Sequence, residues 1–348
     1  MKKNLVVALC AIVVAFSACT DNKKVSTESN STGNNTSVEV NSSTAEQSKP
    51  VDAKASFEIT PINVEEDGDN FIIHHSLGTS SVVKAPTKVV VLDLGILDSF
   101  SALNLNDNVV GVPIKNLPRY LVEFSNKNSI GGVQQVDLEA INALKPDLII
   151  ISGRQAKYYD KLKEIAPTAF MGIGYDNASF LNSFKTNTLA LAKLYGKEAE
   201  ANEKIALIEG EISKAKEELS KDKKALIIMT NANKISAFGP SSRFGLIHDI
   251  LGINPVDDSI KVGTHGKSIN YEYILETNPD FIFIVDRNVI VGKDKVNDEF
   301  LNNALIKKTK AANEGKIVFL DPEYWYLVGG NGIKSLSAMI KEVVDGVK

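Results

Sequence analysis

Cysteine is almost missing from this chain. Among 348 residues only Cys10 and Cys19 carry a thiol, and Cys10 falls inside an apolar run, Leu5 to Phe16, that reads as the core of a removed secretory signal. The mature chain then keeps one thiol, which excludes an internal disulfide. The same run is too short and wrongly flanked for a membrane span. Charge of one sign is also scarce: the formal net charge is -4, and there is no basic stripe or interleaving of arginine with aromatics to bind nucleic acid. No HExxH, Ser-His-Asp order or carboxylate pair is present, so a metal-dependent or hydrolytic enzyme lacks its machinery. Arginine is scarce, represented only by Arg119, Arg154, Arg243 and Arg287 among 39 lysines and arginines. Lysine carries the surface charge, which leaves arginine for a different task. Its rigid fork binds carboxylate, phosphate or other delocalised oxyanions, and it cannot escape burial by losing its proton.

What is present is a pattern used twice. Asp137-Leu-Glu139 opens a segment that continues through Pro146-Asp147, an apolar run and Arg154; Asn270-Tyr-Glu272 opens one that continues through Pro279-Asp280, an apolar run and Arg287. Glu139 and Glu272, Pro146 and Pro279, Asp147 and Asp280, Arg154 and Arg287 are each 133 positions apart. Each copy predicts an Asp or Asn N-cap, a short helix with an acid in its first turn, a Pro-Asp turn, and a fully apolar strand with arginine just beyond its end. Such strands belong in parallel sheets covered on both faces, whose ligands bind at the strands' carboxyl ends. Chance repetition of an ordinary helix-turn-strand unit is the competing explanation, and four residues at one offset weigh against it. The expected fold class is α/β, with two similar lobes.

The rest of the chain divides accordingly. Residues 1–18 read as the signal, and 19–55 as a polar, disordered tether rich in Ser, Asn and Thr. Cys19, alone at the mature N-terminus, is then a lipid attachment point; a soluble protein cut after Ala18 is the alternative. An N-terminal lobe over 56–196, a connecting helix over 197–222 and a C-terminal lobe over 223–348 follow. Ala201, Ile205, Ile208, Ile212, Ala215 and Leu219 recur in steps of four and three, giving that helix one buried face. Further expectations are edge strands at Phe57–Thr60 and Phe71–His75 around an acidic turn at 65–70, a helix over roughly 298–312, and one over 333–344.

Several residues are candidates for binding. Arg154 and Arg287 follow the matched strands, and Lys157 lies close beyond Arg154. Arg243 sits in a Gly-Pro-Ser-Ser-Arg-Phe-Gly turn, where Ser242 is placed to cap the next helix and a cation opposes the helix dipole. His265 is exposed by flanking glycines, with an ordinary turn histidine an even alternative. Tyr326 belongs to an aromatic cluster at a strand exit; packing is the alternative to closing over a flat ligand, and tyrosinate suits ferric iron. His74 and His75 read as packing or exposed histidines, and Arg119 as a contact between elements.

The runs Ile149-Ile-Ile-Ser-Gly-Arg-Gln155, Lys234-Ile-Ser-Ala-Phe-Gly-Pro240, Val262-Gly-Thr-His-Gly-Lys-Ser-Ile-Asn270 and Leu320-Asp-Pro-Glu-Tyr-Trp-Tyr326 resemble the bacterial siderophore-binding lipoproteins of ABC iron-uptake systems, class III periplasmic binding proteins. The resemblance spans Lys88 to the C-terminus and is closest to those that take up enterochelin. It implies two Rossmann-like lobes joined by one long helix, with a ferric catecholate siderophore in the cleft. The binding arginines match Arg154, Arg243 and Arg287, and a nearby lysine matches Lys157. A histidine and a tyrosine that complete the iron's coordination under a tetradentate siderophore match His265 and Tyr326. Glu139 and Glu272 match the acids that dock on the permease. The resemblance further implies lipidation at Cys19, the periplasmic face of the cell membrane, a cognate ABC permease and ATPase as partners, a monomer, and no permanent cofactor. A haem or corrinoid receptor on the same scaffold is the alternative, and a structural surface lipoprotein a weaker one.

Overall fold

The structure, a computed structural model, describes residues 58–220, 222–232, 234–260, 266–292 and 297–348. The signal, the tether, Cys19 and His265 lie outside the described residues.

Continuously apolar strands build two sheet cores. In the N-terminal lobe, β4 (Val89–Val91), β5 (Val109–Val112), β6 (Asn128–Ser129), β7 (Leu148–Ile151) and β8 (Thr168–Phe170) lie in the order β6-β5-β4-β7-β8, with every pair parallel. All residues of β4 and β7 are buried, as helices on both faces require. A small antiparallel sheet precedes this lobe, formed by β1 (Asn63–Asp67), β2 (Asn70–His75) and β3 (Gly78–Val83). The acids Glu65 to Asp67 are therefore strand and not turn. Only Val64 of β1 is buried, so its remaining positions tolerate charge, and the turn is confined to Gly68 and Asp69.

The C-terminal lobe contains β9 (Lys224–Asn231), β10 (Lys234–Phe238), β11 (Asn254–Pro255), β12 (Lys267–Ile269), β13 (Phe281–Asp286) and β14 (Ile317–Leu320). The order is β12-β10-β9-β13-β14, with β11 beside β9. This sheet is mixed. Strands β9, β13 and β14 run parallel, but two residues separate β9 from β10, a connection only an antiparallel pair can use, and β12 is antiparallel to β10.

The repeated unit takes one form in both lobes. Asp137 caps the helix Leu138–Leu144 by accepting from the Ala140 amide at 3.0 Å, and Asn270 caps Tyr271–Thr277 by accepting from Tyr273 at 2.9 Å. Both helices end in a left-handed residue, Lys145 and Asn278, just before the proline that forbids continuation.

A long helix, Glu198–Glu218, connects the lobes and buries Ala201, Ile205, Ile208, Ile212 and Ala215. It follows the helix Asn177–Leu194 after a break at Gly196, whose φ of +64° ends the first helix. The segment after Arg287 is three short pieces, Asn297–Asn302, Ile306–Lys308 and Lys310–Asn313, and not one helix. The Asn303 side chain accepts from Leu305, and Thr309 caps the last piece, so polar side chains restart the chain twice. The C-terminal helix Ile333–Val347 returns to the first lobe. Asp98 accepts from the Lys334 and Ser335 amides at 2.8 and 2.6 Å, and Asn331 donates to the Met171 carbonyl at 2.8 Å. Cβ atoms added at Gly95 or Gly332 would sit 2.7 Å from Asn331 and 2.6 Å from Asp98, so this closeness demands glycine.

Candidate ligand-binding cleft

Each arginine arrives by its own piece of local structure. Beyond β7, the buried Gln155 side chain accepts from the Ser152 amide at 3.1 Å and donates to the Val133 carbonyl at 2.6 Å, which fixes the turn carrying Arg154. Beyond β13, Asp286 accepts from the Asn288 amide at 3.0 Å and starts the short helix Arg287–Ile290. The buried Asn288 accepts from the Ala232 amide at 2.7 Å. Gln155 and Asn288 share the 133-residue offset, an extension of the repeat that was open to view in the sequence. Ser242 does not cap the following helix. Its hydroxyl donates to the Gly239 carbonyl at 2.5 Å, and the π-helical turn Leu246–Ile250 begins after Gly245, so Arg243 stands in the preceding turn, outside that helix's first turn.

The three guanidinium groups meet at one residue. Glu323–Val328 forms a π-helical turn that stops at Gly329, φ +74°, leaving carbonyls near its end in need of donors. Arg154 supplies them, with Nη1 to the Leu327 carbonyl at 2.6 Å and Nη2 to that of Tyr326 at 2.5 Å. Arg243 Nη2 donates to the same Tyr326 carbonyl at 2.6 Å, and its Cζ lies 4.3 Å from the centre of the Tyr326 ring. Arg287 Cζ lies 5.3 Å from that ring. The Nε atoms of Arg243 and Arg287 are buried without a hydrogen-bond partner. Burial first, and then the positive charge of Arg154, hold the Arg243 guanidinium below its usual pKa. No carboxylate among the described residues forms an ion pair with these three arginines.

Arg154, Arg287 and Tyr326 open on a cleft of about 290 Å³. Its other walls include Lys115, Asn116 and Gly132–Gln135, which sequence reasoning passed over; the Gly131-Gly132 pair was the available sign of a tight turn. Among the described residues, no carboxylate lines the cleft. Cations without a counter-charge among the described lining residues suit an anion that brings its own delocalised oxygens. Aromatic packing supports the floor: Trp325 is fully buried, donates from Nε1 to Glu342 at 2.7 Å, and stands edge-on to Phe244.

The other candidates fall elsewhere. Lys157 is exposed and does not line the cleft; its ammonium lies 5.0 Å from the Tyr158 ring centre. Glu139 and Glu272 are exposed in the first turns of the two repeated helices, with no ion pair among the described residues. Arg119 spans the lobes, donating from its amide and Nε to Glu323 at 2.9 and 2.8 Å. His75 is buried, with Nδ1 accepting from the Leu77 amide, and burial pulls its pKa down to about 4. It is a neutral packing histidine.

A family model described as periplasmic binding protein matches residues 89–324. The chain is 40% identical over 285 residues to the petrobactin-binding protein YclQ of Bacillus subtilis, covering 80% of this chain and 89% of that one. The crystal structure of YclQ superposes with a TM-score of 0.77 over 80% of this chain and 99% of that chain. Identity is 31% over 282 residues to the ferric-anguibactin-binding protein FatB of Vibrio anguillarum, 79% of this chain and 87% of that one. The periplasmic catecholate-siderophore binding protein VctP of Vibrio cholerae matches in structure at 28% identity and a TM-score of 0.72, covering 80% of this chain and 99% of that one.

Proposed function

The chain belongs to the periplasmic binding protein family, whose members are solute receptors and not enzymes, and we propose that it binds a ferric catecholate siderophore in the interlobe cleft and delivers it to an ABC permease for iron uptake. The observation that carries this is the convergence of Arg154, Arg243 and Arg287 on Tyr326, with no carboxylate among the described residues that line the cleft. A ferric tris-catecholate carries about three negative charges, which Arg154 and Arg287 in the cleft lining, and Arg243 packed on Tyr326, offset in a site of reduced dielectric. Guanidinium also stacks on catechol rings and hydrogen-bonds their oxygens. Relatives named for petrobactin, ferric anguibactin and catecholate siderophores support the ligand class.

Iron is cargo, held by its chelator. Where the chelator supplies only four oxygens, Tyr326 and His265 fill the two remaining positions, oxygen and imidazole being donors that iron accepts. Lys157, outside the cleft lining, adds longer-range positive potential that draws the anionic ligand in. Cys19 is the lipidated residue that holds the receptor, as a monomer, at the periplasmic face of the cell membrane, and Glu139 and Glu272 dock on the permease. The experiment is a titration of the purified protein with a ferric catecholate, with haem and with cobalamin, read by quenching of Trp325 and tyrosine fluorescence. Saturable quenching with the ferric catecholate alone is expected. Tighter binding of haem or cobalamin, or no ferric-catecholate binding, overturns the proposal.

A further inference from the structure

The arginines do not account for the cleft wall formed by Lys115, Asn116 and Gly132–Gln135. This wall is built. Gly131 has φ +91°, and a Cβ there would meet the Gln135 carbonyl at 2.4 Å, so the turn closes only with glycine. The Gly132 amide donates to the Gln135 carbonyl at 2.9 Å. The Val133 amide donates to Asn116 Oδ1 at 3.1 Å, the Val133 carbonyl accepts from Gln155 at 2.6 Å, and the Gln134 carbonyl accepts from the Tyr158 hydroxyl at 3.2 Å. Side chains of three residues, Asn116, Gln155 and Tyr158, thus hold the turn's backbone. The side chains left to face a ligand are Gln134 and Gln135, both exposed. Beside them Lys115, exposed on the short helix Ile114–Asn116, has no ion pair among the described residues.

The chemistry of this wall differs from that of the arginine cluster. Arg154 and Arg243 already commit guanidinium hydrogens to the Tyr326 and Leu327 carbonyls, whereas the Lys115 ammonium is a compact point charge with no ion pair among the described residues, open to one carboxylate. Two neutral amides alongside it offer donors and acceptors for uncharged carbonyl or hydroxyl groups. We infer that Lys115 is a specificity-determining residue that binds a free carboxylate on the scaffold of the chelator, outside the iron's own coordination, while the Asn116-braced turn receives the neutral part of that scaffold. This rests on the reading of the cleft as a ferric-chelate site.

The test uses two ferric bis-catecholamide complexes that differ only in a linker carboxylate, free in one and a methyl ester in the other. Fluorescence titration of the wild type should show tighter binding of the acid by about tenfold, the scale of one charge-assisted bond. Lys115→Gln should erase that preference and bind the ester within about twofold of wild type. Lys161→Gln, which removes an exposed lysine outside the cleft, should keep the preference and thereby exclude a general charge effect. A preference that survives in Lys115→Gln, one that is lost equally in Lys161→Gln, or none in the wild type overturns the inference. If the wild type binds the ester but shows no preference, only this inference falls. If it binds neither complex, the ferric-chelate reading falls and takes this inference with it.

Discussion

The two copies of the repeated unit share their caps, their left-handed exits and their buried strands, yet they employ their arginines differently. Arg154 donates both terminal nitrogens to backbone carbonyls of the other lobe, whereas Arg287 leans over the Tyr326 ring with its Nε unpartnered. One scaffold position therefore provides a brace in the first lobe and an open cation in the second. The difference begins one residue earlier. Gly153 precedes Arg154 on an exposed turn, while Asp286 precedes Arg287 and caps a short helix beneath it. A repeat conserves where a side chain is presented, and the neighbouring residue decides what it holds.

The largest effect should come from a feature the copies share. Reversing both Glu139→Lys and Glu272→Lys should reduce chelate uptake in cells to background. Affinity of the purified receptor should stay within about twofold, because exposed acids outside the cleft are screened from it. Uptake of the double variant at the wild-type rate would show these to be helix-start acids only, each contributing about 0.3–1 kcal/mol through the dipole. Next in size is Arg154→Gln, which removes two charge-assisted bonds between the lobes. Urea unfolding should register a loss of about 2 kcal/mol, together with at least tenfold weaker ferric-catecholate binding. Arg287→Gln should cost about tenfold in affinity but shift stability by less than about 0.5 kcal/mol. Equal stability losses at the two positions would erase the distinction between brace and open cation.

Much of this was legible because the signals are local. Asp137 and Asn270, the acid two residues on, the Pro-Asp pairs and the uninterrupted apolar strands each act within a few residues, so the unit could be read from spacing. The buried face of the connecting helix, from Ala201 to Ala215, was equally plain. What escaped was information that residue identity does not carry. The partners of Arg154 and Arg243 are backbone carbonyls of Tyr326 and Leu327, which any residue would present there. Acids in β1 looked like a turn because an edge strand with one buried position tolerates them. Lys115 stood among 39 basic residues, and only the fold distinguishes it by setting it beside the Gly132–Gln135 turn.

The smallest effect, and the finest division between the copies, is expected at the turn aspartates. Asp147 accepts at 3.0 Å from the Thr87 and Lys88 amides at the start of β4, and Asp280 accepts at 2.8 Å from the Lys224 amide at the start of β9, so each ties its turn to the neighbouring strand. Asp280 alone adds ammonium partners, Lys310 and, at 3.5 Å, Lys223. Burial by itself would raise the pKa of Asp280, but Lys310, the Lys224 amide and Lys223 outweigh it and leave the carboxyl below its usual value. A carboxyl depressed in the folded state contributes stability above its unfolded pKa of about 3.9, and that contribution is lost as pH falls through the lower folded value. Asp280→Asn keeps an oxygen for the Lys224 amide and removes only the charge. It should therefore cost about 1 kcal/mol at neutral pH, and the cost should shrink as pH falls below about 4. Asp147→Asn, with no lysine paired to it among the described residues, should cost less at neutral pH. Urea unfolding of both variants at pH 7 and near pH 3 measures this. An Asp280→Asn cost that is the same at both pH values would mean that the two aspartates serve only as hydrogen-bond acceptors, and the copies would be equivalent at this position.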